Sequence, residues 1–478
     1  MLIRVAKKPL CAIVAGLSMA IVMPGLPFGL LSFVALVPLL FALENADFIS
    51  FFLVGVTFFL VNLRWLFSLA RFDILAIPGV IILCLYLACY FGLFGLLMRV
   101  IRKRWRNDSL LLVVFPVFFT LFEILRNIGP LSLGFASMYQ SLYLYPVLIQ
   151  VSAYLGPYSI TALIALVNVL FYLAIDRKRF LYAAFALATV GAMASLWFLP
   201  APDVGGSLKV AIIGSDVSQE DKLDERNLHT LLDHYVGLGR KAATYDPDLI
   251  VFPESILPGY ILRDEKLLDE FAKLAQGLKA SVVFGTGDYV QGKIYNSVAA
   301  IDLNGRVAGT YNMVHPVPFG EFIPGRSLLE KLGLKEFIDS FLPREVTPGN
   351  SYNPLNGVGT PICFESALPV ASRRFTFNGA SLLAIVTNDA WFAGSSELQA
   401  HFSFTVFRAV ESRRYVLQAA NGGISGVIDQ RGRIVSSQMG EGILLAEVKT
   451  LTGRSFYTRY GDVPLYIIFA ISFLSVVI

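Results

Sequence analysis

The sequence predicts a polytopic α-helical membrane bundle that carries an α/β sandwich domain. Three observations predict it. The chain of 478 residues is 55% hydrophobic and only 15% charged, with a mean hydropathy of +0.64, too apolar for a soluble protein. Apolar runs follow one another from Pro9 to about Pro200, and another extends from Val463 to Ile478. Between them, from about residue 205 to 455, short apolar stretches alternate with polar, helix-like ones.

The N-terminal runs lie near 9–24, 27–43, 49–69, 75–100, 109–127, 157–175 and 179–199. Each has roughly the length that crosses ~30 Å of hydrocarbon as a helix. The first is short enough for a signal-peptide core. No small-residue cleavage site follows it and the next run begins almost at once, so it reads as an uncleaved span. Phe and Leu dominate, with Trp and Tyr near the ends, where interfacial anchors sit.

Basic clusters set the orientation. Arg4, Lys7 and Lys8 precede the first span, Arg99, Arg102, Lys103, Arg104 and Arg106 follow the fourth, and Arg177, Lys178 and Arg179 follow the sixth. Seven spans put all three clusters on one side, which the positive-inside rule makes cytoplasmic. The polar domain then lies outside the cytoplasm, periplasmic in a Gram-negative bacterium, and 463–478 returns inward. The expected units are a bundle at 1–204, an extracytoplasmic domain at 205–455 and a C-terminal span at 456–478. Residues 128–156 are too polar and broken to span, and predict a loop or short helices at the outer interface.

The net charge of +4 is accounted for by the clusters beside the spans, so no nucleic-acid partner is expected. Four cysteines without a C-x-x-C and four scattered histidines (His229, His234, His315, His401) predict no metal site.

In the polar domain, strands are predicted at Leu208–Ile213, Leu249–Phe252, Ser281–Gly285, Ser297–Ile301, Val307–Tyr311, Ala380–Thr387, Tyr415–Ala420 and Gly426–Ile428. Helices are predicted at Arg226–Ala243, Leu267–Leu278 and Gln399–Ser412.

Cys363 is the only cysteine of this half and follows the apolar run Val358–Ile362, which predicts a strand end, a rigid place from which to present a side chain. A lone cysteine beside apolar residues is ordinarily a small buried hydrophobe, and spacing alone does not make it a nucleophile. Glu254 follows a buried strand in Phe252-Pro253-Glu254, a setting that raises a carboxyl pKa and suits a general base. Glu321 sits among aromatics in the rigid loop Pro318-Phe319-Gly320-Glu321-Phe322-Ile323-Pro324, where an acid needs a partner. Thr387-Asn388-Asp389-Ala390-Trp391-Phe392 closes another strand with polar groups, and Trp391 there fits either a pocket or a membrane-interface anchor.

These segments, in this order, resemble the nitrilase (carbon–nitrogen hydrolase) superfamily: Phe252-Pro253-Glu254, then Tyr311-Asn312-Met313-Val314-His315 through Val317-Pro318-Phe319-Gly320-Glu321, then Ile362-Cys363-Phe364-Glu365, then Thr387 to Phe392. Spans before and after the domain narrow the resemblance to the apolipoprotein N-acyltransferases, over essentially the whole chain. The resemblance implies a nitrilase-like αββα sandwich and a Glu-Lys-Cys triad with no cofactor. In it Glu254 is the base and Cys363 the nucleophile, Glu321 and Glu365 are further active-site carboxylates, and Asn296 and Trp391 lie near the pocket. It implies a phospholipid acyl donor, a thioester acyl-enzyme and a lipid-modified apolipoprotein acceptor, on a monomer in the bacterial inner membrane.

The chain departs from the pattern at Met313, where the family has its lysine, and Val317–Glu321 fixes that register. Met offers no charge and no N–H. No lysine nearby in the sequence takes over, since Lys293 is on another strand and Lys331 and Lys335 lie beyond the loop. Three readings follow: an acyltransferase fold with weak or lost activity, an inactive homologue or variant that binds lipid or lipoprotein, and a membrane-tethered amidase.

Overall fold

The computed structural model describes residues 2–104, 108–201 and 205–477. Arg106 of the second basic cluster and the predicted junction at residue 204 lie outside the described residues, as do the side chains of Arg4, Lys7 and Lys8.

Each apolar run is helical. The helices are Leu2–Ala20, the pair Ser32–Ala35 and Val37–Ala42, Phe48–Asn62 continuing into the 3-10 helix Arg64–Arg71, Ala76–Arg104, Asp108–Leu125, Tyr158–Asp176, Phe180–Ser195 and Val463–Val477. By length and composition, three are able to cross a bilayer: Ala76–Arg104, Tyr158–Asp176 and Phe180–Phe198. Phe48–Asn62 and Arg64–Arg71, bent by 53°, make a fourth if they form one broken span. Pro9–Ala20, Gly29–Ala42, Leu110–Leu125 and Val463–Ser475 are shorter. Helix Phe180–Ser195 turns Phe180, Leu181, Phe185 and Leu187 outward. An apolar face of that kind fits hydrocarbon rather than water.

The polar half is an αββα sandwich. Its first sheet runs in the order β11 (Gly442–Lys449), β1 (Ser207–Gly214), β2 (Leu249–Val251), β3 (Ser281–Val290), β4 (Lys293–Ile301), β5 (Val307–Asn312). The second runs β10 (Ile434–Met439), β9 (Ile424–Ile428), β8 (Val416–Asn421), β7 (Leu382–Asn388), β6 (Val358–Gly359). Period-2 alternation divides β1 between two cores. Val210 and Ile212 join the core between the sheets, while Ala211 and Ile213 pack with the helices Leu228–Ala242 and Glu265–Leu278. Helices Pro369–Phe377 and Glu397–Ser412 cover the second sheet.

Three sequence expectations change. The strand predicted to reach Ile362 is cut to β6, because Pro361 has no N–H for the ladder; Ile362 keeps only an isolated bridge to Val386. The strands β10 and β11 were not predicted, since neither alternates cleanly between apolar and polar residues. The short helix Gln219–Leu223 was also missed.

Residues 128–156 do form short helices, among them Met138–Leu142 and Ser152–Leu155, but they are largely buried as the seam between bundle and sandwich. Gln140 donates to Ser403 Oγ at 3.1 Å, Arg413 donates to Gln150 Oε1 at 2.7 Å, and Tyr139 meets Phe407 edge-on at 4.8 Å. The bundle holds this seam through a buried pair. Glu123 accepts from the Met138 N–H (2.6 Å) and Thr161 (2.7 Å), and Arg126 donates to the carbonyls of Phe135 (2.8 Å) and Ala136 (2.6 Å).

Replacing Arg126 by Met strands the Glu123 carboxylate and is expected to destabilise the chain by ~3–5 kcal/mol. Removing both charges together, Glu123→Gln with Arg126→Met, is expected to cost less. Thermal unfolding in detergent measures both, and equal losses would refute the charge-pair account.

Candidate active site

Parallel pairing assembles the site. β1 and β2 are parallel neighbours, as are β6, β7 and β8, so the chain leaves each of these strands at a carboxyl edge. From β1 it enters Ser215–Leu223, from β2 it reaches Glu254, from β6 it reaches Cys363, and β7 ends in Thr387-Asn388, with Asp389 next. Amide side chains tie the two edges together. Asn421, at the end of β8, accepts from Ser215 Oγ (2.8 Å) and the Val217 N–H (2.9 Å) and donates to Asn388 Oδ1 (2.8 Å). Asn388 donates to Gln219 Oε1 at 2.7 Å.

Cys363 begins a 3-10 helix with φ at +44°, a left-handed conformation that costs a non-glycine residue of order 1–3 kcal/mol. Strain of that kind is held by its surroundings. Burial pushes the thiol pKa well up, the carboxylates of Glu254 and Asp389 add to the push, and Thr387 with the Asn388 N–H opposes it. The resting group is therefore a thiol, and attack requires a base.

Glu254 is the carboxylate beside the thiol. It is buried, and Asn296 Nδ2 donates to its Oε1 at 2.7 Å. Its Oε2 has no nitrogen or oxygen partner, and the neighbouring thiol of Cys363 favours the carboxylate. Burial nevertheless raises its pKa, against Asn296, Lys222 and Cys363. Gly285 makes room: a Cβ there would lie 2.5 Å from the Glu254 Cα.

The other predicted residues divide. Asn296 also donates to Glu321 Oε1 (2.9 Å), and Glu321 Oε2 accepts from the Val317 N–H (2.7 Å). Burial and the nearby Glu254 push the Glu321 pKa up to about 7. Glu365 accepts from the Tyr311 hydroxyl (2.7 Å) and from the N–H groups of Val314 (2.8 Å), His315 (3.1 Å) and Ile362 (3.0 Å). Burial raises its pKa to about 7, against these donors. It is a brace that joins the Met313 loop to the Cys363 turn. Met313 is fully buried, its N–H bonded to the Asn296 carbonyl (2.8 Å) and its sulfur 3.8 Å from Asn296 Nδ2. Trp391 instead contacts the bundle: its ring meets Phe72 at 4.9 Å, and Arg71 donates to the preceding carbonyl, of Ala390, at 2.7 Å.

Two residues at the site were missed. His401 sits with Nδ1 2.8 Å from Asp389 Oδ1 and Nε2 3.1 Å from the Cys363 carbonyl and 2.9 Å from Ser366 Oγ. Burial lowers its pKa, but Asp389 and Glu397 prevail and raise it to about 10, so an imidazolium holds the Cys363 turn. Cys363, Asp389 and His401 bring a thiol, a carboxylate oxygen and a ring nitrogen within 4.8 Å of one another, yet both His401 nitrogens already have partners. The second is Lys222, buried, with Nζ donating to the Glu254 carbonyl at 2.8 Å. Burial lowers its pKa to about 8, resisted by Glu254 and Cys363. Lys222 is none of the lysines weighed from the sequence, Lys293, Lys331 and Lys335. The readable signal was topological: Lys222 follows β1 and Glu254 follows β2, on one sheet edge.

Residues 209–456 match the carbon-nitrogen hydrolase family model, and residues 15–170 match that of the apolipoprotein N-acyltransferase N-terminal domain. The chain is 31% identical to the apolipoprotein N-acyltransferase of Geobacter metallireducens, over 95% of this chain and 92% of the relative. It is 29% identical to that of Thermotoga maritima, over 98% of this chain and 93% of the relative. Among solved structures, a carbon-nitrogen hydrolase from Helicobacter pylori is similar with a TM-score of 0.39 at 17% identity, over 51% of this chain and 90% of the other.

Glu365→Gln turns an acceptor oxygen into an NH2 facing donors. It is expected to destabilise the chain by ~1–3 kcal/mol, read as a fall in the unfolding midpoint. An unchanged midpoint would show that the brace carries no load.

Proposed function

The chain belongs to the apolipoprotein N-acyltransferase family, and from that premise we propose that it moves a phospholipid acyl chain to the N-terminal amine of a lipid-modified apolipoprotein by way of a Cys363 thioester. The observation that carries the reading is the Cys363 thiol set beside the Glu254 carboxylate at the joined strand ends. Glu254 takes the thiol proton while sulfur attacks the ester carbonyl carbon. The tetrahedral intermediate collapses, the C–O bond breaks, and Glu254 returns the proton to the departing lysophospholipid oxygen. The acceptor amine then attacks the thioester, the C–S bond breaks, and the amine's proton passes through Glu254 to the released thiolate.

The surroundings support lipid substrates. A cavity of about 330 Å³ opens between the bundle and the sandwich, lined by Leu17, Ile21, Leu26, Trp65, Phe135 and Ala400 among others. Its sandwich-side lining, Ser396 and Ala400, belongs to the start of the helix that carries His401, and we assign this largely apolar space to the acyl chain. We take residues 1–204 as the membrane bundle, 205–455 as a catalytic domain on the periplasmic face of the inner membrane, and 456–478 as the returning span, on a monomer. Asn296 and Glu321 would then position the base, while Trp391 would serve the seam.

Met313 favours a second reading, a member that binds lipid or lipoprotein without turnover. One assay separates them. After incubation with phospholipid, intact-mass and peptide mass spectrometry is expected to find the acyl group on Cys363, and none on Cys363→Ala. A Cys363 that stays free would sink the acyltransfer reading. Glu254→Gln is expected to slow acylation by ~10²–10⁴-fold. The rate is expected to rise with pH through the Glu254 pKa, above the usual carboxylate range, because the base works deprotonated.

A further inference from the structure

The loop position that brings a lysine in the family resemblance brings the uncharged Met313 here, fully buried against Asn296. The site still has a cation, from a helix elsewhere in the chain. Lys222 lies on the helix Gln219–Leu223, and that helix is anchored to the nucleophile's side of the site. Gln219 Oε1 accepts from Asn388, whose own N–H acts on the Cys363 thiol. Lys222 is only 5% exposed. Its Nζ donates to the backbone carbonyl of Glu254, the base itself, at 2.8 Å. An ammonium carries three donors, so two N–H groups remain for the site. No ion pair involving Lys222 occurs among the described residues.

The other cations nearby are occupied. His401 is 2.8 Å from Asp389 Oδ1, and both its ring nitrogens are bonded. Arg408, which donates to the Ser366 carbonyl, is 2.6 Å from Glu411 Oε1. Arg71 bonds the carbonyls of Ala390 and Trp391. Leaving a charge buried and unpaired is expensive unless something else in the site requires it.

We propose that Lys222 supplies the positive charge of this acyltransfer centre in place of the lysine missing at position 313. It acts by holding the Glu254 segment and by offsetting the negative charge that forms at Cys363 and on the attacked carbonyl. Lys222 keeps its protons throughout; the thiol proton passes to Glu254 and on to the departing oxygen. The charge of Lys222 already bears on both Glu254 and Cys363, and burial leaves its pKa at about 8, so it is mostly protonated at neutral pH. The role rests on the acyltransfer reading given above.

Lys222→Gln keeps a donor for the Glu254 carbonyl and removes the charge. In the full-length chain with phospholipid, Cys363 acylation in this variant is expected to fall by ~100-fold or more, with the unfolding midpoint retained. The double variant Lys222→Gln with Met313→Lys is expected to recover most of that loss, because the charge returns from the loop after β5. Acylation of Lys222→Gln at the unsubstituted rate would overturn the proposal. So would a folded double variant that stays as slow as the single one, or failure of both variants to accumulate, which would make Lys222 purely structural. Alkylation of Cys363 by iodoacetamide at neutral pH needs no phospholipid. It is expected to slow by ~10-fold in Lys222→Gln, the equivalent of one pKa unit. If the unsubstituted chain alkylates in this way but never acylates, the acyltransfer reading fails while the effect of Lys222 on the thiol is still decided.

Discussion

Everything at the site depends on a short chain of buried polar side chains, one hydroxyl and three amides. Ser215, Asn421, Asn388 and Gln219 run hand to hand across the gap between the two sheets, each bond between 2.7 and 2.8 Å. They replace water where the strand ends meet, and a buried polar network of this kind rigidifies only when every member is satisfied. Because it spans the gap, the residues after β1 and β2 on one sheet and after β6 and β7 on the other are fixed relative to each other. Glu254 and Cys363 meet for that reason: the Asn388 N–H reaches the Cys363 thiol, and Lys222, on the Gln219 helix, reaches the Glu254 carbonyl.

The sandwich is not simply tethered to its helices. Trp65 packs edge-on to Phe392 at 4.7 Å, Phe135 meets Phe404 at 5.1 Å, and Arg71 grips the Ala390 carbonyl. These contacts fall on the segments beside Cys363: Asp389–Phe392 follows β7, and Phe404 shares a helix with His401. A shift of the bundle would therefore be felt at the Cys363 turn before it was felt in the outer layers of the sandwich.

The architecture was largely legible. Hydropathy located every apolar helix, and period-2 stretches located most buried strands, because both signals record burial directly. The site was legible where chemistry and local order coincide: Glu254 and Cys363 each follow an apolar strand that could be read by eye. It was illegible where contact is made by topology. Lys222 lies in a polar run, Gln219-Glu220-Asp221-Lys222, that reads as a solvated helix, and nothing in its neighbours says that it turns inward. His401 looked like a scattered histidine because its partner Asp389 is on another element. β10 and β11 were missed because their burial does not follow their hydropathy: Val435 and Met439 face outward while Ser436 and Gln438 are half-buried, and Leu445 is exposed beside the buried Val448.

Met313 has a consequence of another kind. Lysine and methionine have unbranched side chains of similar length, and their codons AAG and AUG differ by one base. The slot at 313 is closed to solvent and shaped for such a chain. The exchange in either direction changes the charge of that slot far more than the length of the chain that fills it. With Lys222 in the charge-bearing role proposed above, a chain carrying both lysines would let the charge pass between the loop at 313 and the helix at 222 without an uncharged state.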